Sequence, residues 1–221
     1  MNHHLKLSLF IFCLFLSNVV LLCQPFIFLK VYPYLTQVDR FGWSIQEQKQ
    51  QSAIILTYLN SNQHFEQDSL NEKKVVLSST EVNHMNDVLK IVKMTKMIFG
   101  FAFVFTLFFF VRFVQSHRQN PVRQYQSFLI HGLTFYSSLT IMLCLLIFVA
   151  WSSFFTWFHQ LLFANGSWLF PLDSTLIRLF PEVFWQRTAV LILLLPLCEL
   201  LLLFLSSCLI RQKSQLKAMI Q

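Results

Sequence analysis

The sequence predicts an all-α membrane protein: four transmembrane helices, a small extracytoplasmic α+β cap, and a re-entrant or interfacial segment between the third and fourth helices. Three observations predict it. Of 221 residues, 55% are hydrophobic, only 12% are charged and 26 are Phe, whereas soluble domains run roughly 45–50% apolar. Four long apolar segments, about 5–29, 89–113, 128–155 and 189–210, each approach or exceed the ~20 residues a helix needs to cross a bilayer core. None of them alternates polar and apolar residues as the strands of a membrane barrel do.

Residues 1–29 form the first span. It follows a basic "MNHHLK" start, but "LLCQPF" lacks the small residues of a signal-peptidase site. Cys23 follows Leu22 rather than a small residue, which makes it a poor acylation site. The expectation is an uncleaved helix kinked at Pro25. Residues 30–88 form the cap. "SIQE" (Ser44–Glu47) is a capping box that opens a helix through "QKQQSAIILTYLN". "HFEQDSLNEKK" reads as a turn-rich loop and "KVVLS" as a short β-like stretch. "SSTE" (Ser78–Glu81) is a second capping box, starting a helix that runs into the second span, 89–113. About sixty residues bury too little surface to stand alone, so the cap is expected to rest on the membrane end of the bundle, with the segment 156–188 beneath it.

Residues 114–127 make a short turn, 128–155 the third span, 189–210 the fourth and 211–221 a tail. With the N-terminus cytoplasmic, the inner side carries Lys6, Arg112, Arg118, Arg123, Arg211, Lys213 and Lys217 and no acidic residue. An excess of Lys and Arg in short loops marks the cytoplasmic side, so both termini are placed inside. The net charge of +7 is thereby an orientation signal. A nucleic-acid partner would need a basic soluble face, which the pattern lacks. The five cysteines fall inside predicted helices without a C-x-x-C pair, encoding neither a disulfide framework nor a zinc ribbon.

The segment 156–188 is too broken by Asn165-Gly166, Pro171 and Pro181 for one membrane helix, yet too apolar for an ordinary loop. "DSTLIRLF" reads as a short amphipathic helix capped by Asp173 or Ser174 and stopped by Pro181. Four of the five tryptophans lie between Trp151 and Trp185, as in an interfacial belt. The belt alone would not call for the polar residues set between the rings, and the segment is expected to floor a half-wet, apolar pocket.

Two histidines arrive at that face. His84 carries Glu81 at i−3 and Asp87 at i+3, each about 60° around the helix, an arrangement that favours the charged ring and fixes its tautomer. A solvated helix with ordinary i,i+3 pairs is the plainer reading. His159 ends the third span or lies just past it, where a lone histidine is more often an interfacial ring than a catalyst. Asp173 and Glu182 have plain duties as a helix cap and a polar group beside Pro181, with Arg178 and Arg187 as ion partners or headgroup ligands. Two His with Asp87, Asp173 and Glu182 would make a zinc set, but no H-E-x-x-H or similar spacing is present, and no metal is expected. Glu199, near the middle of the fourth span, is expected protonated or bonded to Ser137, Ser138 or Thr140.

"HMNDV" (His84–Val88) and "FHQLLFANGSWLFPLDSTLIRLFPEVFW" (158–185) resemble two elements of the lipoprotein intramolecular transacylases of Gram-positive bacteria, small four-span membrane proteins. The resemblance implies catalytic His84 and His159 at the boundary of cap and membrane. Met85, Asp87, Asn165, Trp168, Asp173 and Glu182 match the pattern as substrate-binding or site-orienting residues; Tyr58, in "LTYLN", is added with weaker support. It also implies a reaction: the sn-2 acyl chain of a diacylglyceryl-modified N-terminal cysteine moves to that cysteine's own α-amino group, leaving a lyso-form lipoprotein.

The residues agree with that chemistry. An imidazole can deprotonate an α-amino group of pKa about 7.7–8.0, and a second can protonate the departing alkoxide. His84 is the better base if Asp87 or Glu81 orients it. The implied substrates are bacterial lipoproteins among membrane lipids in a Gram-positive plasma membrane, with the site extracytoplasmic and no cofactor; the oligomeric state is left open, a monomer being plausible. A membrane metallohydrolase and a non-catalytic lipid- or ligand-binding protein are the competing classes. Transport fits poorly, since beyond Glu199 the spans offer few polar residues to line a path.

Overall fold

The structure, a computed structural model, describes residues 3–61, 63–66, 75–116, 121–163 and 166–220. Among these residues it contains eight helices and no strand: α1 (His3–Leu22), α2 (Pro25–Leu35), α3 (Ile45–Asn60), α4 (Ser79–Ser116), α5 (Pro121–Val149), α6 (Trp151–Leu162), α7 (Thr175–Leu179) and α8 (Glu182–Ile220).

Local chemistry sets three of the starts. Pro25 opens α2 at a position where its missing N–H costs nothing. The same missing donor stops α1 at Leu22, and the chain bends by 86° between the two helices, so the kinked single span expected over 5–29 is two helices. Both capping boxes form. Ser44 and Glu47 exchange bonds at the start of α3, and Ser78 N donates to Glu81 while Glu81 N donates to Ser78 Oγ ahead of α4. α4 then runs for 38 residues without a break, about 57 Å at 1.5 Å per residue. That exceeds the ~30 Å bilayer core, so its N-terminal part, including His84, lies beyond the apolar run that follows Leu89.

Among the described residues, three helices are long and apolar enough to cross a membrane: Ser79–Gln115, Val122–Val149 and Glu182–Lys213. The bent pair α1–α2 passes the same test as one unit. On α4, Phe101, Phe103, Val104, Phe105, Leu107 and Phe108 are each more than half exposed, a surface that only lipid would cover at no cost.

Two expectations are corrected. The β element at "KVVLS" does not form: Lys74 lies outside the described residues, and Val75–Ser78 belong to no strand. Val75 and Leu77 are fully buried and Val76 is exposed, so the alternation that mimics a strand is satisfied by packing on helices. The third span, expected to reach 155, ends at Val149. Ala150 leaves helical geometry (φ −129°, ψ 35°), and α6 starts at Trp151. No Pro or Gly marks this break, which is why the sequence pattern ran through it.

The chain divides into two compact units. One comprises Met1–Asn18, Met97–Leu145 and Ile192–Gln221. Leu7, Ile11, Leu129, Tyr136 and Leu200 form its core. Gly132 faces Leu7 and Leu200 so closely that an added Cβ would come within 3.1 Å of Leu7 Cδ1, so glycine permits this approach of α1 to α5. Glu199 Oε1 accepts from Asn18 Nδ2 at 3.2 Å. The partner is therefore an α1 amide and not Ser137, Ser138 or Thr140.

The other unit comprises Val19–Lys96 and Leu146–Leu191. Its core joins Phe28 and Tyr32 of α2, Ile55 and Tyr58 of α3, Met85 and Leu89 of α4, Leu176 and Leu179 of α7, and Phe184 of α8. The segment before α4 and the segment before α8 thus share one core, and this unit holds every candidate site residue that the structure describes.

Candidate active site

α7 is five residues long, too short to hold itself. Side chains from three other helices finish it. Glu81 Oε1 accepts from Leu176 N at 2.7 Å, Gln48 Nε2 donates to Arg178 O at 2.8 Å, and Tyr32 Oη donates to Leu179 O at 2.6 Å. Asp173 and Ser174 were the expected caps, but Ser174 makes no side-chain cap bond and Asp173 is exposed. Glu81 does that work from across the core, because its other oxygen is already anchored to Ser78.

The arginines also differ from expectation. Arg178 pairs with Asp39 (2.8 Å), whose side chain is 2% exposed, and its guanidinium lies 3.6 Å from the centre of the Trp43 ring. Burial raises the pKa of Asp39, but the bonds from Arg178 and Trp43 outweigh it and the carboxyl is held below its usual range. Arg187 Nη1 donates to Tyr34 O, Leu35 O and Thr36 O, closing the carbonyl end of α2 with a cation. Asn86, inside "HMNDV", clamps Phe65 through its backbone N–H and C=O. Neither Arg178 nor Arg187 meets Asp173 or Glu182.

On this frame the two histidines come together. His84 is 8% exposed and its ring sits 4.5 Å from that of Phe163 and 5.4 Å from that of Phe170. His159, in the last turn of α6, lies 5.6 Å from the same Phe163 ring, 4.9 Å from Trp168 and 4.1 Å from Phe155. Both imidazoles therefore pack on one phenyl ring and are no farther apart than the sum of their distances to it. Phe155 and His159, four residues apart, share one face of α6, and Phe163 follows as the extended residue that ends the helix; Trp157 and Leu161 on other faces are exposed.

Electrostatics around this pair reverse one expectation. Burial first, and then the neighbouring His159, push His84 down to about 4, with Asp87 opposing only in part. Burial also lowers His159, against the bond to Phe155 O. The charged ring expected from flanking carboxylates is not the favoured one. Glu81 is committed to Ser78 and Leu176, and Asp87 spends itself on Lys90 at an exposed pair 2.9 Å apart. His159 Nδ1 donates to Phe155 O at 2.8 Å, so in the neutral ring Nε2 keeps the lone pair. His84 Nδ1 is buried and unpaired among the described residues.

The remaining candidates divide. Trp168 stacks beside His159 after Gly166, whose φ of +67° needs a residue without a Cβ. Met85 and Tyr58 are core residues, with Tyr58 5.2 Å from Phe65. Asp173 and Glu182 are exposed, and Asn165 lies outside the described residues. Among those residues no three His, Cys, Asp or Glu side chains group as a metal site requires. Phe163, which joins the histidines, and Phe170, which packs on His84, were not singled out in the sequence; the four-residue spacing of Phe163 from His159 was the available signal.

The profile of the family described as lipoprotein intramolecular transacylase Lit matches residues 4–185. This chain belongs to that family. The in meso structure of the membrane integral lipoprotein intramolecular transacylase Lit from Bacillus cereus resembles this family member with a TM-score of 0.69 at 20% identity, covering 96% of this chain and 98% of that one. A variant of that protein with one histidine changed to arginine matches with a TM-score of 0.63 at 22% identity, over 96% and 90%. At these identities the likeness is one of fold. An uncharacterized protein of Aquifex aeolicus is 26% identical over 170 residues, 75% of this chain and 74% of that protein. The Lit family is named as transacylases, a class of transferase, with lipoproteins as what they act on.

Proposed function

We propose that this Lit family member moves the sn-2 acyl chain of a diacylglyceryl-modified lipoprotein cysteine to the α-amino group of the same cysteine. The observation that carries the reading is the pair of uncharged imidazoles, His84 buried and His159 half-buried, on one phenyl ring. The α-amino nitrogen attacks the sn-2 ester carbonyl, a C–N bond forms, and the C–O bond to the glyceryl breaks. The nitrogen's proton leaves to a base and the glyceryl oxygen gains one, so the products are an amide and a free sn-2 hydroxyl.

His159 is the better base. Its Nδ1 proton is fixed on Phe155 O, which presents the Nε2 lone pair. In His84 the buried Nδ1 is better left as the lone pair, because an unpaired buried donor is costly. Nε2–H then hydrogen-bonds the ester oxygen, as a neutral imidazole can, and the proton that His159 takes from the amine passes to the departing glyceryl oxygen, so both rings end neutral. This reverses the sequence-based choice of His84 as base, since neither flanking carboxylate turns to it. General acid–base help of this kind is worth ~10²–10⁴ in rate. Nucleophile and ester share one molecule, so holding the folded substrate supplies proximity without an acyl-enzyme, and the aromatic walls of Phe155, Phe163, Phe170 and Trp168 keep out competing water.

The reading includes four spans, with the bent α1–α2 as the first, cytoplasmic termini, and the histidines on the outer face of a Gram-positive plasma membrane. Asp87, Asp173, Glu182 and Asn165 keep a substrate-contacting role, the first three because they are not tied into the core. Mass spectrometry of lipoprotein N-termini from cells carrying wild-type, His84→Ala or His159→Ala protein tests it. The expected result is N-acyl, S-monoacylglyceryl cysteine with the wild type and the diacylglyceryl form with either variant at equal membrane abundance. Lyso-form lipoprotein persisting in both variants would end the two-histidine mechanism.

A further inference from the structure

α4 carries a second feature below His84. At 100° per residue, Val88, Ile91 and Thr95 follow His84 along one face. Ile91 and Thr95, with Val92 and Lys96, form one wall of a cleft of ≈ 90 Å³; Val19, Val20 and Cys23, at the end of α1 and its bend into α2, form the other. With a rise of 1.5 Å per residue, Ile91 to Thr95 lie roughly 10 to 16 Å along the helix from His84.

The cleft is held open by a built device. Asn60, the last residue of α3, donates through Nδ2 to Cys23 O at 2.6 Å and to Leu56 O at 2.9 Å, and accepts from Lys96 Nζ at 2.9 Å. The bend after α1 is thereby fixed by its carbonyl. The ammonium of Lys96 is drawn to an amide while its methylene stem lines the cleft. The residues that remain facing the gap are Val, Ile, Thr and Cys. A water needs two to four polar partners to stay in such a space, and an empty apolar gap forfeits dispersion contacts on every wall. A hydrocarbon chain answers both.

We infer that this cleft is an acyl-chain subsite. The sn-2 chain whose ester lies between the two histidines runs down the His84 face of α4. It seats the methylenes roughly 10 to 16 Å from the ester between Ile91–Lys96 and Val19–Cys23. This rests on the transacylase reading and adds to it a position that senses chain length: a chain too short to reach the cleft loses its contacts.

The test uses the full-length protein in lipid nanodiscs with two synthetic diacylglyceryl lipopeptides, one with a palmitoyl and one with a butyryl sn-2 chain. Ile91→Phe and Val92→Phe fill the cleft. The expected result is a fall of roughly tenfold or more in the palmitoyl-to-butyryl rate ratio, with the butyryl rate little changed. An unchanged ratio overturns the inference. A palmitoyl chain carrying a mid-chain diazirine serves as the second measurement on wild-type protein, independent of any variant's folding. Labels in peptides containing 19–23 or 91–96 support the subsite, and labels confined to other segments overturn it. If wild-type protein converted neither lipopeptide yet the diazirine labelled the cleft, the subsite would stand and the transacylase reading would fall.

Discussion

His84 is neutral because it is buried, and its neighbours cannot reverse that. Folded His84 binds its proton near pH 4, whereas an unfolded histidine binds it near 6.5. The depressed value makes the neutral ring part of the folded state. Stability from this group is fully present above about pH 6.5. It is lost as pH falls toward 4, at up to ~1.4 kcal/mol per pH unit, because the unfolded chain takes up the proton first. Thermal melting of wild-type and His84→Phe protein in the same detergent across pH 4 to 7 measures this. The wild type should lose more stability on acidification than the variant; parallel curves would show that the ring is not held neutral by the fold. The same residue teaches how spacing misleads. Glu81 and Asp87 are placed as the sequence suggests, but one carboxylate is consumed by a backbone and the other by a lysine.

At the scale of elements, α7 shows a helix whose ends are finished from elsewhere. Its N-terminal donor is met by Glu81 and its C-terminal carbonyls by Gln48 and Tyr32. Glu81→Gln removes one acceptor oxygen from a buried group and should cost ~1–3 kcal/mol. Asp173→Ala and Ser174→Ala, at the positions the local sequence nominates as caps, should each change stability by less than about 0.5 kcal/mol. Melting temperatures of the three variants decide the matter: a drop for Asp173→Ala equal to that for Glu81→Gln would return the cap to the local sequence. The two capping boxes ahead of α3 and α4 were legible because both partners lie within four residues. The cap of α7 was not, because its partners stand 95 and 130 positions away.

At the scale of the whole molecule, the asymmetry of charge is the strongest topological signal. Cysteine introduced at Lys49 in α3 should react with a membrane-impermeant thiol reagent on intact cells. Cysteine introduced at Lys213, in the basic tail, should react only after permeabilisation, in a background without the five native cysteines. Labelling of both positions or the reverse order would overturn the orientation. Membrane class, three long apolar helices, the capping boxes and the family motifs follow from the sequence itself, because hydrophobic length, charge bias and capping are short-range properties that any tertiary arrangement must respect. Tertiary structure alone decided the rest. The partner of Glu199, the pairing of Arg178 with Asp39 and the shared seat of the two histidines on Phe163 all join residues far apart in the chain. The energies that choose among such partners come from burial and packing, and those exist only after the helices have met.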